Sequence, residues 1–340
     1  MTVGWGIIGA GNHADSRMAP AIARAANARL VAVASRDQTR AEAFAAKHGG
    51  ARGYGSFEAL LADPEVEIVY VGSPNGLHAD HTIMAARAGK HVFVDKPMAT
   101  TAADCAAMIA ACRQAGVRLA VGFNQRFQPA HRFVRETVQR GEIGRTVLIK
   151  IECAASLGGR LKEWWYDPEL AGAGGLMATG THAIDLVRWI TGAEIAAVAA
   201  LTDASEKSRG IDDVAAATLQ LTDGTFVQLT CGRRLPWPAN TIMLHGDRGR
   251  ISMQGTLIYD IGGRVEINRG ESTQITEFRP PRPGYDIFTA EIEQFSLAVR
   301  EGEEPLGNGH DGMICTQIVE AIQESARTVR TVTLGDSSLG

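Results

Sequence analysis

Lys96 stands where an apolar run stops. Val92-Phe93-Val94 leads straight into Asp95-Lys96-Pro97. In an α/β protein this places an amine at the carboxyl end of a buried strand, where ligands bind. An amine partly dehydrated there can have its pKa lowered enough for proton transfer. Taken alone, the same lysine serves equally well as half of a salt bridge. A second pattern near the N-terminus tips the balance. Gly9-Ala10-Gly11-Asn12-His13-Ala14 follows the apolar run Val3–Ile8 and opens a helical pattern reaching about Ala26. Strand, glycine turn and helix in that order make a dinucleotide fingerprint. Gly9 permits the tight turn, and Gly11 lets a pyrophosphate approach the backbone at the helix's partly positive end. Ala14 still allows close helix–strand packing. The alternative is a glycine-rich turn that holds no nucleotide.

These residues need a scaffold, and the first 123 residues read as one. Strand and helix patterns alternate through Leu30–Ser35, Arg40–His48, Ser56–Leu61, Ile68–Gly72, His78–Ala88, Lys90–Val94, Ala102–Ala115 and Arg118–Gly122. Asp37 and Ser56 are placed as helix N-caps. Repeated βα units with buried strands predict a doubly wound parallel sheet. The boundary is expected at 123/124. Residues 124–340 change texture. A helix over Pro129–Arg140 precedes strand-like runs at Thr146–Cys153, Ile195–Leu201, Ala215–Leu221, Thr225–Cys231, Thr241–His245 and Gly263–Ile267. Thr222-Asp223-Gly224 and Gly246-Asp247-Arg248-Gly249 are turn signals between neighbours. An α+β domain with a mainly antiparallel sheet is expected, broken by a helix at Thr181–Ile190. Two closing helices, near Phe288–Arg300 and Met313–Thr328, could pack back on the first domain. A sheet covered on one side leaves a face for self-association, so a homodimer or homotetramer is expected.

Composition excludes several classes. The chain has 340 residues, a net charge of −4 and an apolar fraction of 45%. These near-average values predict no nucleic-acid partner and no membrane anchor. A strand pattern beginning within three residues leaves no room for a signal peptide. Cysteines 105, 112, 153, 231 and 315 form no CxxC pair. Free thiols without a metal or disulfide framework predict no metal and a reducing, cytoplasmic setting.

The end of the second strand bears on cofactor choice. Val31-Ala32-Val33-Ala34 runs into Ser35-Arg36. NAD enzymes tend to place an acid there for the ribose 2′-hydroxyl. Serine and arginine suit a 2′-phosphate instead. NADP(H) is therefore expected over NAD(H). Asp37 could still reach the ribose, though the cap role explains it.

Across nearly its whole length the chain resembles the Gfo/Idh/MocA oxidoreductases. The marks are Gly9–Ala14, Ser73-Pro74-Asn75 with His78, and Gly89-Lys90-His91-Val92 running into Asp95-Lys96-Pro97. Asn124-x-Arg126-Phe127, Gly141-Glu142-Ile143-Gly144 and Gly174-Gly175 before Gly180-x-His182-x-x-Asp185 complete the set. The resemblance implies hydride transfer between a nicotinamide and a hydroxyl or carbonyl carbon, usually of a sugar or polyol. It implies Lys96 and His182 as catalytic groups. It implies a cofactor site of Gly9, Gly11, Asn12, His13, Ser35, Arg36, Ser73, Pro74, Asn75, His78, Asp95, Lys96 and Asn124. Lys96, Arg126, Trp164, Trp165, Tyr166, Thr179 and His182 would meet substrate.

There are departures. Asp95 replaces a more usual glutamate. Ala178 stands where many relatives carry an aspartate four residues before the histidine. Tyr166 and Asp167 are possible substitutes, and Asp185 could orient His182 or serve structure. Trp165 replaces a common arginine, so the aromatic run could stack on a sugar ring or simply anchor its loop. A dihydrodiol dehydrogenase, a glycosidase recycling its nucleotide internally, and a nucleotide-binding regulator without turnover remain as alternative readings.

Overall fold

The computed structural model describes residues 2–157, 161–257 and 259–335. They form two compact units. The first takes Met1–Asn124 with Tyr285–Met313, and the second Gln125–Gly284 with Ile314–Gly340.

The first unit is built on six parallel strands: β1 (Val3–Ile8), β2 (Ala28–Ala34), β3 (Arg52–Tyr54), β4 (Ile68–Val71), β5 (His91–Val94) and β6 (Leu119–Val121). Their spatial order is β3-β2-β1-β4-β5-β6. This is the Rossmann order, whose reversal between β1 and β4 opens a ligand crevice at the carboxyl ends. β1, β4 and most of β5 are buried on both faces, which is why they read as unbroken apolar runs. Asp37 and Ser56 cap their helices through Arg40 N and Ala59 N. The helix Ile287–Glu301 belongs to this unit, and Trp5 Nε1 donates to its Ser296 hydroxyl at 3.0 Å. The strand β3 escapes a sequence reading because three half-exposed residues carry no periodicity.

The second unit holds nine strands: β7 (Thr146–Ala154), β8 (Ile195–Asp203), β9 (Val214–Leu221), β10 (Phe226–Gly232), β11 (Thr241–Gly246), β12 (Arg250–Gln254), β13 (Arg264–Arg269), β14 (Ser272–Glu277) and β15 (Val332–Thr333). The order is β14-β13-β12-β11-β7-β10-β9-β8-β15. Among the described residues, only β7 and β10 of this sheet pair in parallel. Ile149, Ile151, Val198, Leu219, Val227 and Leu229 point to the buried face. The opposite face exposes Phe226 and Leu201, with polar Gln228, Thr218 and Gln220 between them. β12, β14 and β15 are additions to the expected strands. β14 is a polar edge strand, exposed nearly throughout, so no alternation marks it.

Two helices depart from regular geometry directly after a glycine motif. Ala14–Met18 and Leu176–Gly180 are π-turns, closed by Ala19 N to Ala14 O and Thr181 N to Leu176 O. Such turns widen a helix locally and recur at functional sites.

Candidate functional site

The glycine turn shows two different needs for glycine. Gly9 has φ of +100°, and a Cβ on it would lie 2.9 Å from the Gly72 carbonyl oxygen. Its own chain excludes a side chain there. Gly11 has ordinary φ, and its nearest neighbour would be 3.9 Å from a Cβ. The space above Gly11 is a cradle that a side chain would fill. Asn12 is exposed beside it and His13 is half-buried. His13 Nε2 lies 3.9 Å from Asp95 Oδ2. Burial pulls the His13 pKa down, partly opposed by Asp95.

At the end of β2, Ser35 is buried and accepts from Asp37 N through its hydroxyl at 3.3 Å. Arg36 is exposed. Arg40, one helical turn on, sends its Nε to the Ala10 carbonyl at 3.1 Å. It thereby ties the β2 end to the glycine turn. This arginine is absent from the sequence reading, because its value depends on a contact across thirty residues.

The ends of β4 and β5 are stapled together. His78 is buried, with Nδ1 2.8 Å from the Pro97 carbonyl and Nε2 2.8 Å from that of Ser73. Burial pulls its pKa down against the two carbonyls and Asp95. His78 was expected among the nucleotide contacts. Its ring nitrogens meet two backbone carbonyls, which fixes the shape of the loop. The Ser73 hydroxyl meets His81 Nδ1 at 2.8 Å. Asp95 accepts from Lys96 N at 2.9 Å and from the Tyr70 hydroxyl at 3.0 Å. Burial, then Asp95, push the Tyr70 phenol well up, so it remains a donor. Lys96 is half-buried and precedes a cis peptide to Pro97. Asn124, at the other side of this edge, is buried with Oδ1 unpaired among the described residues. Pro74 and Asn75 complete the loop after β4.

In the second unit, Gly174-Gly175 leads into Leu176–Gly180 and then the helix Thr181–Thr191. His182 is 6% exposed and Ala178 7%. The Thr179 hydroxyl accepts from Gly232 N at 3.1 Å and lies 3.2 Å from Gly175 O. It joins the helix to β10, and the resemblance also puts it at the substrate. Arg126 was also expected at the substrate. It is 3% exposed and bonded to Asp185, which acts as its counter-ion. Asp167 caps a short helix by accepting from Glu169 N at 2.9 Å, which explains it without a proton-transfer role. Trp164 and Trp165 stack with centroids 4.4 Å apart. Both are half-buried, whereas Tyr166 is buried, with Lys207 at 4.5 Å and Arg233 at 5.3 Å over its ring. The aromatic run thus splits into two residues with open surface and one that packs.

Residues 3–123 match the model of the oxidoreductase family with an NAD-binding Rossmann fold, and residues 131–252 match the GFO/IDH/MocA C-terminal domain. The chain is 31% identical to D-xylose 1-dehydrogenase (NADP(+)) 2 of Haloferax volcanii, covering 97% of this chain and 99% of that one. It is 29% identical to 1,5-anhydro-D-fructose reductase of Ensifer adhaerens, covering 95% and 96%. The crystal structure of aldose–aldose oxidoreductase from Caulobacter crescentus, complexed with glycerol, superposes with a TM-score of 0.90 at 30% identity, covering 98% and 100%. With the Rossmann order, the glycine turn and the Gly174–His182 segment in place, the chain belongs to the Gfo/Idh/MocA family of oxidoreductases.

Proposed function

We propose that this protein is an NADP(H)-dependent dehydrogenase or reductase acting on a CH–OH or carbonyl carbon of a sugar or polyol. The observation that carries the reading is the gathering of Gly9, Ser35, Ser73, Lys96 and Asn124 at the carboxyl ends of β1, β2, β4, β5 and β6. The residues fit a nicotinamide dinucleotide. The cradle at Gly11 suits a pyrophosphate beside a helix N-terminus. The unpaired Asn124 Oδ1 is an acceptor of the kind a carboxamide N–H needs. Exposed Arg36, with Ser35 and Arg40 beside it, suits a 2′-phosphate. The names of the xylose and anhydrofructose relatives support a carbohydrate substrate.

A bound nicotinamide would supply or accept the hydride. The chain's own task is the proton on the reacting oxygen. Lys96 Nζ, an amine, and His182, an imidazole, are the two groups assigned to it. Ala178 has no proton to move, so no carboxylate shares the role from that position. Trp164 and Trp165 offer an apolar ring face to a sugar.

The open face of the nine-stranded sheet, with Phe226 and Leu201 exposed, supports a homo-oligomer. Five buried cysteines, all free, support a reducing compartment such as the cytoplasm. The test is the absorbance of the reduced nicotinamide during incubation with aldoses, polyols, cyclic diols and aryl glycosides, offering NADP and NAD separately. Reduction by aldoses or polyols with NADP supports the reading. Turnover only with cyclic diols, or glycoside cleavage without net reduction, would replace it.

A further inference from the structure

Two adjacent acids in the second unit, Asp212 and Asp213, sit just before β9 and face different loops. Asp212 is 5% exposed. Its Oδ1 accepts from Gly174 N at 2.9 Å and its Oδ2 from Leu176 N at 2.8 Å, while its carbonyl accepts from Gly175 N at 2.8 Å. Three successive donor positions around the glycine turn thus close on one residue. The fit leaves no slack, since a Cβ at Gly174 would lie 1.8 Å from the Asp212 carbonyl oxygen. The same turn starts the helical segment that carries Ala178, Thr179 and, one turn later, His182. A carboxylate across the first N–H groups of a helix fixes its start and complements its dipole.

Asp213 is 1% exposed and holds Arg233, which is wholly buried, with Nε 2.8 Å from Oδ1. Arg233 Nη1 in turn donates to the Trp165 carbonyl at 2.7 Å, and its guanidinium lies over Tyr166. The other Asp213 oxygen accepts from Ser205, Ser208 and Arg234. Arg233 also packs on the glycine turn, where a Cβ at Gly174 would meet its Cζ at 2.9 Å.

We propose that Asp212 and Asp213 are the positioning pair of the substrate half: Asp212 sets the start of the His182 helix, and Asp213, through Arg233, sets the Trp164–Trp165–Tyr166 loop. Neither acid touches the reacting atoms. Their effect is to hold a proton-handling imidazole and an aromatic surface in fixed relation to one glycine turn. Sites tolerate little looseness in such supports, because a displacement near 1 Å (an order-of-magnitude figure) costs about a hundredfold in rate.

The two arms predict separate signatures. Asp212→Asn keeps the shape but turns one acceptor into a donor facing an N–H. It should lower kcat about tenfold or more while leaving KM within about twofold. Arg233→Lys keeps the charge beside Asp213 but loses the reach to Trp165. It should raise KM about tenfold with little change in kcat. Thr225→Val, which removes the buried hydroxyl bond to Thr146 O in the same unit, serves as a control for general destabilisation. It should change neither parameter.

The turnover arm rests on the function proposed above. Amide hydrogen exchange does not, and it is read on each purified variant without any substrate. Asp212→Asn should speed exchange across residues 174–182, and Arg233→Lys across residues 163–166, each about tenfold beyond the Thr225→Val control. Unchanged exchange in these segments would overturn the proposal whatever the substrate is. Faster exchange with no turnover of any sugar, in wild type as well, would leave the positioning pair standing and overturn the substrate reading. If Asp212→Asn does not fold, Asp212→Glu is read by the same exchange measurement, and unchanged exchange across residues 174–182 overturns the Asp212 arm.

Discussion

Arg126 and Asp185 form a doubly hydrogen-bonded ion pair inside the second unit. Arg126 Nε lies 3.1 and 3.0 Å from the two carboxylate oxygens, and Nη2 lies 2.6 Å from Oδ1. Both side chains are at most 4% exposed. Removing one charge from such a pair strands the other, at a cost of about 3–5 kcal/mol. Asp185→Asn should therefore lower the urea midpoint strongly, while Arg126→Leu with Asp185→Leu should lose far less. A wild-type midpoint for Asp185→Asn would show that the pair does not support the fold.

The two glycines of the N-terminal turn should respond differently to alanine. Gly9→Ala must place a Cβ against Gly72 with φ of +100°, so it should destabilise the protein by more than about 1 kcal/mol. Gly11→Ala meets nothing of its own chain closer than 3.9 Å, so thermal stability should hold while nucleotide binding falls. Calorimetric melting combined with a nucleotide titration separates them. Equal binding by Gly11→Ala and wild type would remove the pyrophosphate from that cradle.

Cofactor preference should reside at Arg36. Loss of a hydrogen bond to a charged group costs about 1.5–3 kcal/mol, or roughly a ten- to hundredfold rise in Kd. Arg36→Ala should raise the Kd for NADPH by that factor and leave NADH within about twofold. Arg40→Ala should weaken both, because its guanidinium supports the glycine turn through Ala10 O. Fluorescence titration with each nucleotide reads the outcome. A parallel loss of both in Arg36→Ala would point to stacking on adenine.

Lys96→Met keeps most of the side-chain bulk and removes the amine. Turnover should fall at least about a hundredfold, as for loss of a general acid–base group. NADPH affinity should change little by comparison. Near-normal kcat in this variant would take the proton role away from Lys96.

His131 gives a pH prediction with a defined sign. It is fully buried, Nδ1 meets Gln125 O at 2.8 Å, and burial pulls its pKa from 6.5 down to about 4. Protonation would put a second N–H where Nε2 has no partner among the described residues. The stability it contributes is complete above pH 6.5 and lost as pH falls toward 4, amounting to about 3 kcal/mol. His131→Asn should flatten the acid side of the stability profile across that window, measured by urea unfolding at stepped pH. An identical profile in wild type and variant would mean His131 titrates normally.

Much of the first unit was legible because its strands are buried on both faces. Val3–Ile8, Ile68–Val71 and His91–Val94 need apolar residues at every position, so a run of them announces itself. Asp37 and Ser56 were legible as caps because the bond they make spans only three residues. The short strand Arg52–Tyr54 and the polar edge strand Ser272–Glu277 were not, since neither buries a periodic face. The substrate-side residues were the least legible. Arg126, Thr179 and Tyr166 each have a partner within the second unit, Asp185, Gly232 N and Arg233 respectively, that no local spacing announces.

The sequence by itself determined the family, the Rossmann order of events along the chain, and the residue types at the strand ends. Those depend on local periodicity, turn chemistry and the identity of a few side chains. Only the tertiary structure decided which polar groups are committed to one another. His78 with Pro97, Arg40 with Ala10, Arg126 with Asp185 and Asp212 with Gly174 are partners 19 to 59 residues apart. Nothing in the spacing of such residues selects the partner. The folded backbone brings the two groups into one buried place, and the cost of leaving either unpaired there holds the pair together.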